Sequence, residues 1–524
     1  LGAVIVALLT TTALAQTPRQ VWQSSLVIAT GDEPQTFDLH ANVTAVGGRR
    51  FYPNIYEGLL GFAPDGKILP KLATSYDVSS DGLRYTFQLR PGVTFSDGTP
   101  FNAAAVKWNL ERLRKLNKGP VGLYEPVNEI QTPNDRTVVF VMKRPYAPFL
   151  SMMAAWQGAI FMSPSMADAR AQGGDSGGAW MHNHTAGTGP YVLESWQPDN
   201  QIVLVKNDRY REPWPAQAIT RVVYRAVKEP ATAMQMLIRG DLDVLEELTL
   251  PDFVDVLGRV STLEVKVVDA IGGNNIHLWA NLKKPPFDNP RVRQAISLAL
   301  DYQRIVSNAF PKVGTVARGL YAESAKPWFD PNGKPRQQNM EAAKRLMREA
   351  NVRTPIQASL GWQAGFRAQR EMAQIIRENL AELGIQIEIV EQPITVWREA
   401  IWRNSFDLTF VQLGLRFPDP DAVVHLVFHS SNFRFGGFNP GVVSPQMDDL
   451  IEKGRSATTI NDRVRVYRDI DRLVERETLT MPIVFFKFIY SQRAGVSNLT
   501  WNPYYGPHYE PFPVRKDPAT FPGR

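Results

Sequence analysis

The stretch "FRAQREMAQIIRENLAELGIQIEIV" (366–390) constrains this chain more than any other. Met372, Ile375, Ile376, Leu380 and Leu383 recur at helical spacing and make one apolar face. Gly384 supplies a left-handed helix end, and Ile385, Ile387 and Ile389 then alternate as a strand does. A helix that feeds directly into a strand buries its apolar face on the sheet that strand joins, which predicts an α/β layer. The segments "RYTFQLR" (84–90), "RTVVFVM" (136–142) and "QIVLVKN" (201–207) alternate in the same way. "DNPRVRQAISLALDYQRIV" opens with Asp288 and Asn289 as cap candidates and Pro290 in the first turn. A chain of 524 residues exceeds what one core supports, so two or three lobes are expected. Gly and Pro crowd near 173–190 and 283–290, where we place crossings between lobes.

Composition removes several functions. There is no cysteine, which excludes disulfides, thiolate metal sites, a cysteine nucleophile and a lipid anchor on an N-terminal cysteine. The formal net charge of +6 is spread along the chain without a Lys/Arg run, so no nucleic-acid partner is expected. "LGAVIVALLTTTALAQTPRQ" is apolar and ends in Ala13-Leu14-Ala15, a small-x-small cleavage pattern. Export with cleavage after Ala15 is the expectation, with residues 1–15 as the remnant of a signal peptide. Beyond that segment no run of about 18 uninterrupted apolar residues occurs, so no span is expected. An exported chain without cysteine or anchor fits a Gram-negative periplasm.

Gly174-Asp175-Ser176-Gly177-Gly178 spells the surroundings of a trypsin-like nucleophile. The order such a site needs is His, then Asp, then Ser, yet only His40 precedes Ser176. Some 340 residues of α/β pattern follow it, and a secreted protease of that type carries disulfides. The expectation is a pliable loop and no enzymatic activity.

The segment "YPNIYEGLLGFAPDGKILPKLATSYDVSSDGLRYTFQLRPGVTFSDGTPFNAAAVKWNLERL" (52–113) resembles bacterial extracellular solute-binding proteins of family 5. These are the oligopeptide-, dipeptide- and nickel-binding components of ABC importers. The resemblance continues through "GTGPYVLESW" (187–196), "NLKKPPFDNPRVRQAISLALDYQRIV" (281–306), "FPDPDAVVHLVFHSSNF" (417–433) and "PQMDDLIEKGRSATTINDRVRVYRDIDRLVERETLTMPIVFF" (445–486). Within it, Pro91-Gly92 and Asp97-Gly98 read as turns before a helix starting near Asn102. Gly187-Thr188-Gly189-Pro190-Tyr191 reads as a crossing where glycine provides positive φ. The resemblance implies an α/β clamp of the periplasmic-binding-protein type, with two lobes, an additional domain, and a ligand cleft that closes by a hinge. Lobe I would comprise about 16–48, 187–271 and 490–524, the extra domain about 49–186, and lobe II about 272–489. It also implies a monomer without cofactor that delivers a small solute to permease and ATPase subunits. The same clamp presenting ligand to a receptor would be a sensor.

One departure bears on the solute. In peptide-binding relatives an aspartate three residues before an acidic-Pro pair holds the peptide's α-ammonium. Here the pair is Asp419-Pro420, with Asp419 itself a ligand-binding candidate, and the residue is Arg416. A guanidinium repels an ammonium but grips a carboxylate, phosphate or sulfate through paired donors. The expected solute is therefore a small organic anion or acidic conjugate, with unmodified peptide as the alternative. Arg416 either contacts it or turns away to pair with Asp419 or Asp421. Arg49 and Arg50 either face the cleft or form a solvated pair. Trp156, Trp279, Trp362 and Trp397 are candidate stacking walls, with core packing as the competing reading. His425 and His429 stand at i, i+4, the spacing of a metal pair, but no Glu intervenes as in a zinc-protease helix. His425 is retained as a ligand-binding candidate, and no metal is expected.

Overall fold

The computed structural model describes residues 18–31, 33–42, 45–246, 251–268, 274–413, 417–432, 440–499, 501–502 and 514–520. Within them the helix Arg367–Ala381 ends at Gly384, whose φ of 74° is the left-handed conformation expected there. The strand Ile385–Gln392 follows and pairs in parallel with Ile356–Gln363 along its whole length. Met372, Ile375, Ile376, Leu380 and Leu383 share one core with Leu360, Ile385 and Phe410. Helix and strand bury the same apolar set, as the period required.

That strand is the edge of a six-stranded sheet. From the opposite edge its strands are Gly314–Val316, Met481–Phe486, Asn274–Ala280, Leu408–Val411, Ile356–Gln363 and Ile385–Gln392. A seven-stranded sheet forms the other lobe, centred on Ser25–Thr30. This strand runs parallel to both neighbours, Arg221–Ala226 and Val244–Leu245. The four strands Ala73–Val78, Arg84–Leu89, Thr137–Met142 and Val127–Asn134 make a third, antiparallel sheet with its own core around Phe87, Phe140 and Phe149. The molecule is thus α/β, two lobes with separate sheets and an additional domain.

The helix caps fall where the sequence puts them. Asn102 accepts from the Ala105 N–H at 3.0 Å, and Asn289 accepts from the Arg291 N–H at 2.9 Å with Pro290 in the first turn. Gly92 and Gly98 adopt φ of 72° and 89° in their turns. The helix Ala45–Ile55, which spans the expected boundary at 48/49, packs Phe51, Tyr52 and Ile55 with Leu26, Tyr224 and Tyr490 of the seven-stranded lobe.

Gly187 and Gly189 differ from expectation. Neither is left-handed. They are small because the crossing lies against the end of the helix Ala45–Ile55. A Cβ at Gly187 would sit 2.1 Å from the Ile55 carbonyl oxygen, and one at Gly189 would sit 2.7 Å from the Ile55 carbonyl carbon. Backbone cannot yield as a side-chain tip can, so Gly187→Ala should destabilise by about 1–3 kcal/mol or more. Gly122, around which nothing lies within 4 Å, is the control. Thermal melts should show a lower midpoint for Gly187→Ala beside an unchanged Gly122→Ala; coincident curves would remove the steric account.

Candidate functional site

The acidic turn "FPDPD" is built into lobe II by arginines from two later helices, Pro445–Ser456 and Ile460–Glu477. Arg463, on the helix Ile460–Glu477, grips Asp419 with both terminal nitrogens, Nη1 to Oδ2 at 2.7 Å and Nη2 to Oδ1 at 2.8 Å. Its Nε donates to the Gly454 carbonyl at 2.9 Å, and its guanidinium lies 5.1 Å from the Trp328 ring centre. The Asp419 Oδ1 also accepts from the Asp421 N–H at 3.0 Å, which closes the turn onto the helix Asp421–Phe428. Asp421 is held from two sides. Tyr146 of the extra domain donates to its Oδ2 at 2.9 Å, and the Arg455 Nε stands 3.2 Å from its Oδ1 without hydrogen-bond alignment. Burial raises the Asp421 carboxyl to about 6.

This turn is also where the extra domain meets lobe II. Phe417 and Ala422 belong to the extra domain's apolar core. The Ala147 N–H donates to the Arg455 carbonyl at 2.8 Å, and Arg144 faces Glu452 at 3.7 Å. Arg416 lies outside the described residues, immediately before this anchored turn. Asp419, expected at the ligand, has both oxygens occupied by Arg463.

The other candidates fall in two groups. In lobe I, Arg50 is buried, its Nε 2.6 Å from Glu246 Oε2 and its Nη1 2.5 Å from Thr30 Oγ1. Thr30 ends one parallel strand and Glu246 follows its neighbour, so Arg50 sits at the carboxyl edge, where open α/β sheets take ligands. A solvated basic pair does not describe Arg50; the side chain of Arg49 lies outside the described residues. Trp156 is half-buried beside Tyr52, ring centres 6.4 Å apart, and its buried indole N–H has no hydrogen-bond partner. In lobe II, Trp279 and Trp397 pack in one apolar cluster, and the Trp397 Nε1 donates to Thr409 Oγ1 at 3.3 Å. Trp362 belongs to the neighbouring core, with Arg370 5.6 Å from its ring centre. All three are less than a tenth exposed. His425 lies beside His429 at the end of the helix that the acidic turn begins, ring centres 4.9 Å apart.

Arg463, Arg455 and Tyr146 escaped the sequence reading. Their signal is pairing across 44, 34 and 275 residues, which no local spacing reveals.

Ser176 takes no part in a triad. Its Oγ accepts from Lys115 Nζ at 3.1 Å and its carbonyl from Arg112 Nε at 2.9 Å. Asp175 is spent on the N–H groups of Gln172, Gly177 and Ala179. His40 pairs through Nδ1 with Arg112 and through Nε2 with the Ile160 carbonyl, each at 2.9 Å, which leaves no ring nitrogen for Ser176.

Burial first, then Arg112, depresses His40 to about 4; burial and then Arg336 depress His277 to about 3. Both remain neutral at pH 7. A depressed folded value means stability fully present above the ordinary 6.5 and lost as pH falls through 4 to 3. Asp421 and Asp471, both raised to about 6, carry the opposite sign: their contribution is complete below 3.8 and is lost as pH rises through 6. Burial likewise depresses His425 to about 3, so ring-proton NMR should show three histidines that do not titrate between about pH 8 and 5. Titration of all seven near 6.5 would contradict this burial.

Two lobes with separate sheets, the additional domain and crossings between them are the architecture of a solute-binding clamp. The chain belongs to the bacterial extracellular solute-binding proteins, family 5, whose family model matches residues 67–435. It is a solute-binding component of ABC importers, a family that works with permease and ATPase subunits. It is similar to the glutathione-binding protein GsiB of Salmonella typhi, 27% identical over 498 residues covering 91% of each chain. It is also similar to the probable D,D-dipeptide-binding periplasmic protein DdpA of Escherichia coli K12, 26% identical over 485 residues, 91% of this chain and 92% of that one. Among solved structures, the dipeptide-binding protein of Pseudoalteromonas sp. SM9913 in complex with Met-Leu superposes with a TM-score of 0.83 at 23% identity. It covers 94% of this chain and 100% of its own. AgaA from A. tumefaciens R10 in complex with agropinic acid gives 0.79 at 23% identity, over 92% and 96%. No helix among the described residues is long and apolar enough to cross a membrane.

Proposed function

We propose that this protein captures a small organic anion or acidic conjugate in the cleft between its lobes, in the periplasm, and passes it to an inner-membrane permease. Arg416 is the residue assigned to the anion. The observation that carries this reading is that both carboxylates of the acidic turn already face other arginines. Asp419 is matched by Arg463 through two hydrogen bonds, and Asp421 is held by Tyr146 beside Arg455. The carboxylates that would have neutralised Arg416 structurally already have cationic partners. Arg416, which directly precedes this turn in the sequence, is therefore assigned to the solute, whose carboxylate or phosphate its paired donors suit. The glutathione-binding relative supports the same class of solute.

Closing the lobes over such a ligand removes water from its charged contacts and strengthens them, and differential affinity for the closed form drives the closure. The second reading is an unmodified di- or oligopeptide, favoured by the dipeptide-binding relative. Native mass spectrometry of the purified chain, followed by denaturation and identification of the released molecule, decides between them. An anion retained in the folded protein supports the first reading; a peptide bearing a free α-ammonium and no further acidic group sinks it.

A further inference from the structure

We propose that His425, His429 and Glu452 form a binding site for a divalent transition-metal ion of the zinc class on lobe II. His425 lies in the last turn of the helix Asp421–Phe428, and His429 is the capping residue that follows it. Their four-residue spacing places both imidazoles on one side, ring planes tilted by 39°. Glu452 comes from the helix Pro445–Ser456, which packs beside this one. One ligand atom from each residue lies within 4.8 Å of the other two. His429 Nε2 and Glu452 Oε1 are 3.7 Å apart. A tetrahedral ion with bonds of about 2.0–2.1 Å sets neighbouring ligand atoms roughly 3.3 Å apart, so small side-chain rotations complete the site.

The surroundings suit ligation. The His429 Nδ1 accepts from the Ser431 N–H at 3.2 Å and stands 2.7 Å from Ser431 Oγ, so the ring proton lies on Nε2; an ion at Nε2 requires that proton to move to Nδ1, where Ser431 Oγ can accept it as outer support. All three residues are half-buried, so an ion can enter and a fourth position stays open to water or an added ligand. Two neutral imidazoles and one carboxylate select zinc, nickel, copper or cobalt over magnesium and calcium. The opposing force is also visible. Arg455 Nη1 binds Glu452 Oε1 at 2.8 Å, and Arg144 Nε lies 3.7 Å from Oε2. The ion must draw Glu452 away from both guanidiniums, so their charge sets the affinity.

The test uses the full, untagged chain freed of metal with EDTA and titrated with zinc chloride in a calorimeter. One zinc per chain is expected, with His425→Ala, His429→Ala and Glu452→Gln each weakening binding by about tenfold or more. Arg144→Ala should tighten it, because Glu452 loses a competitor, whereas a merely structural role for these residues gives no tightening. Absence of saturable one-to-one binding, or wild-type affinity in the double variant H425A/H429A, overturns the site. If the double variant fails to fold, ring-proton NMR of the wild type decides. Zinc must shift two of the seven histidines, and a shift of any other set overturns the assignment.

Discussion

Arg416→Asp protein should come through purification without the anion that the wild type retains. On the proposed assignment, the substitution replaces a guanidinium by a carboxylate in a site that closes away from water, where like charges brought together cost several kcal/mol. Removing one partner of a buried charge pair alone costs about 2–5 kcal/mol, and each 1.4 kcal/mol is about tenfold in affinity. The affinity for the identified solute, read by calorimetry, should fall by roughly a hundredfold or more. Arg416→Lys keeps the charge but loses the planar pair of donors, and an intermediate loss is expected. Affinity equal to that of the wild type in Arg416→Asp would end the assignment of the anion to this residue.

Breaking the Asp419–Arg463 pair should produce the largest loss of stability. Both side chains are buried, at 2% and 8% exposure, and the two hydrogen bonds are matched in direction and length. Removing either partner strands a charge in the interior, a change that costs about 3–5 kcal/mol. Asp419→Ala and Arg463→Ala should each lower the urea midpoint strongly. The pair Asp419→Leu with Arg463→Met should recover much of the loss, because an apolar pair of similar volume carries no stranded charge. If the double variant were as unstable as the sum of the single ones, the penalty would lie in packing and not in charge. Solute binding should weaken with stability in the single variants, since this pair fixes the turn that follows Arg416.

The sequence made some of this plain and left the rest silent for physical reasons. The helix Arg367–Ala381 and its following strand were legible because a period of 3.6 changing to 2 is a local signal. Caps at Asn102 and Asn289 were legible for the same reason. Gly187 was recognised as a constrained glycine, but the constraint was misassigned, since the carbonyl that excludes a Cβ belongs to Ile55, far upstream. His425 and His429 announced themselves by spacing, whereas Glu452 reaches them only through the packing of two helices. For Arg50 the sequence left a cleft-facing residue and a solvated pair open, and only the fold shows it against Glu246 and Thr30. Tryptophans carry no local clue to their burial; Trp279, Trp362 and Trp397 could be placed only by the cores around them.

The last passage between lobes has a mechanical consequence. The strand Met481–Phe486 belongs to the six-stranded sheet, and Phe488–Arg493 belongs to the seven-stranded one. Lys487 alone separates them, and its N–H is fastened to the Val313 carbonyl at 3.0 Å. One residue spans only about 3.3–3.6 Å of extended chain, so this joint has no slack. The sheets cannot be drawn apart there; they can only swivel. Whatever solute enters, the lobes yield to it by torsion about a fixed pivot, and the width of the mouth is paid out in angle and not in distance.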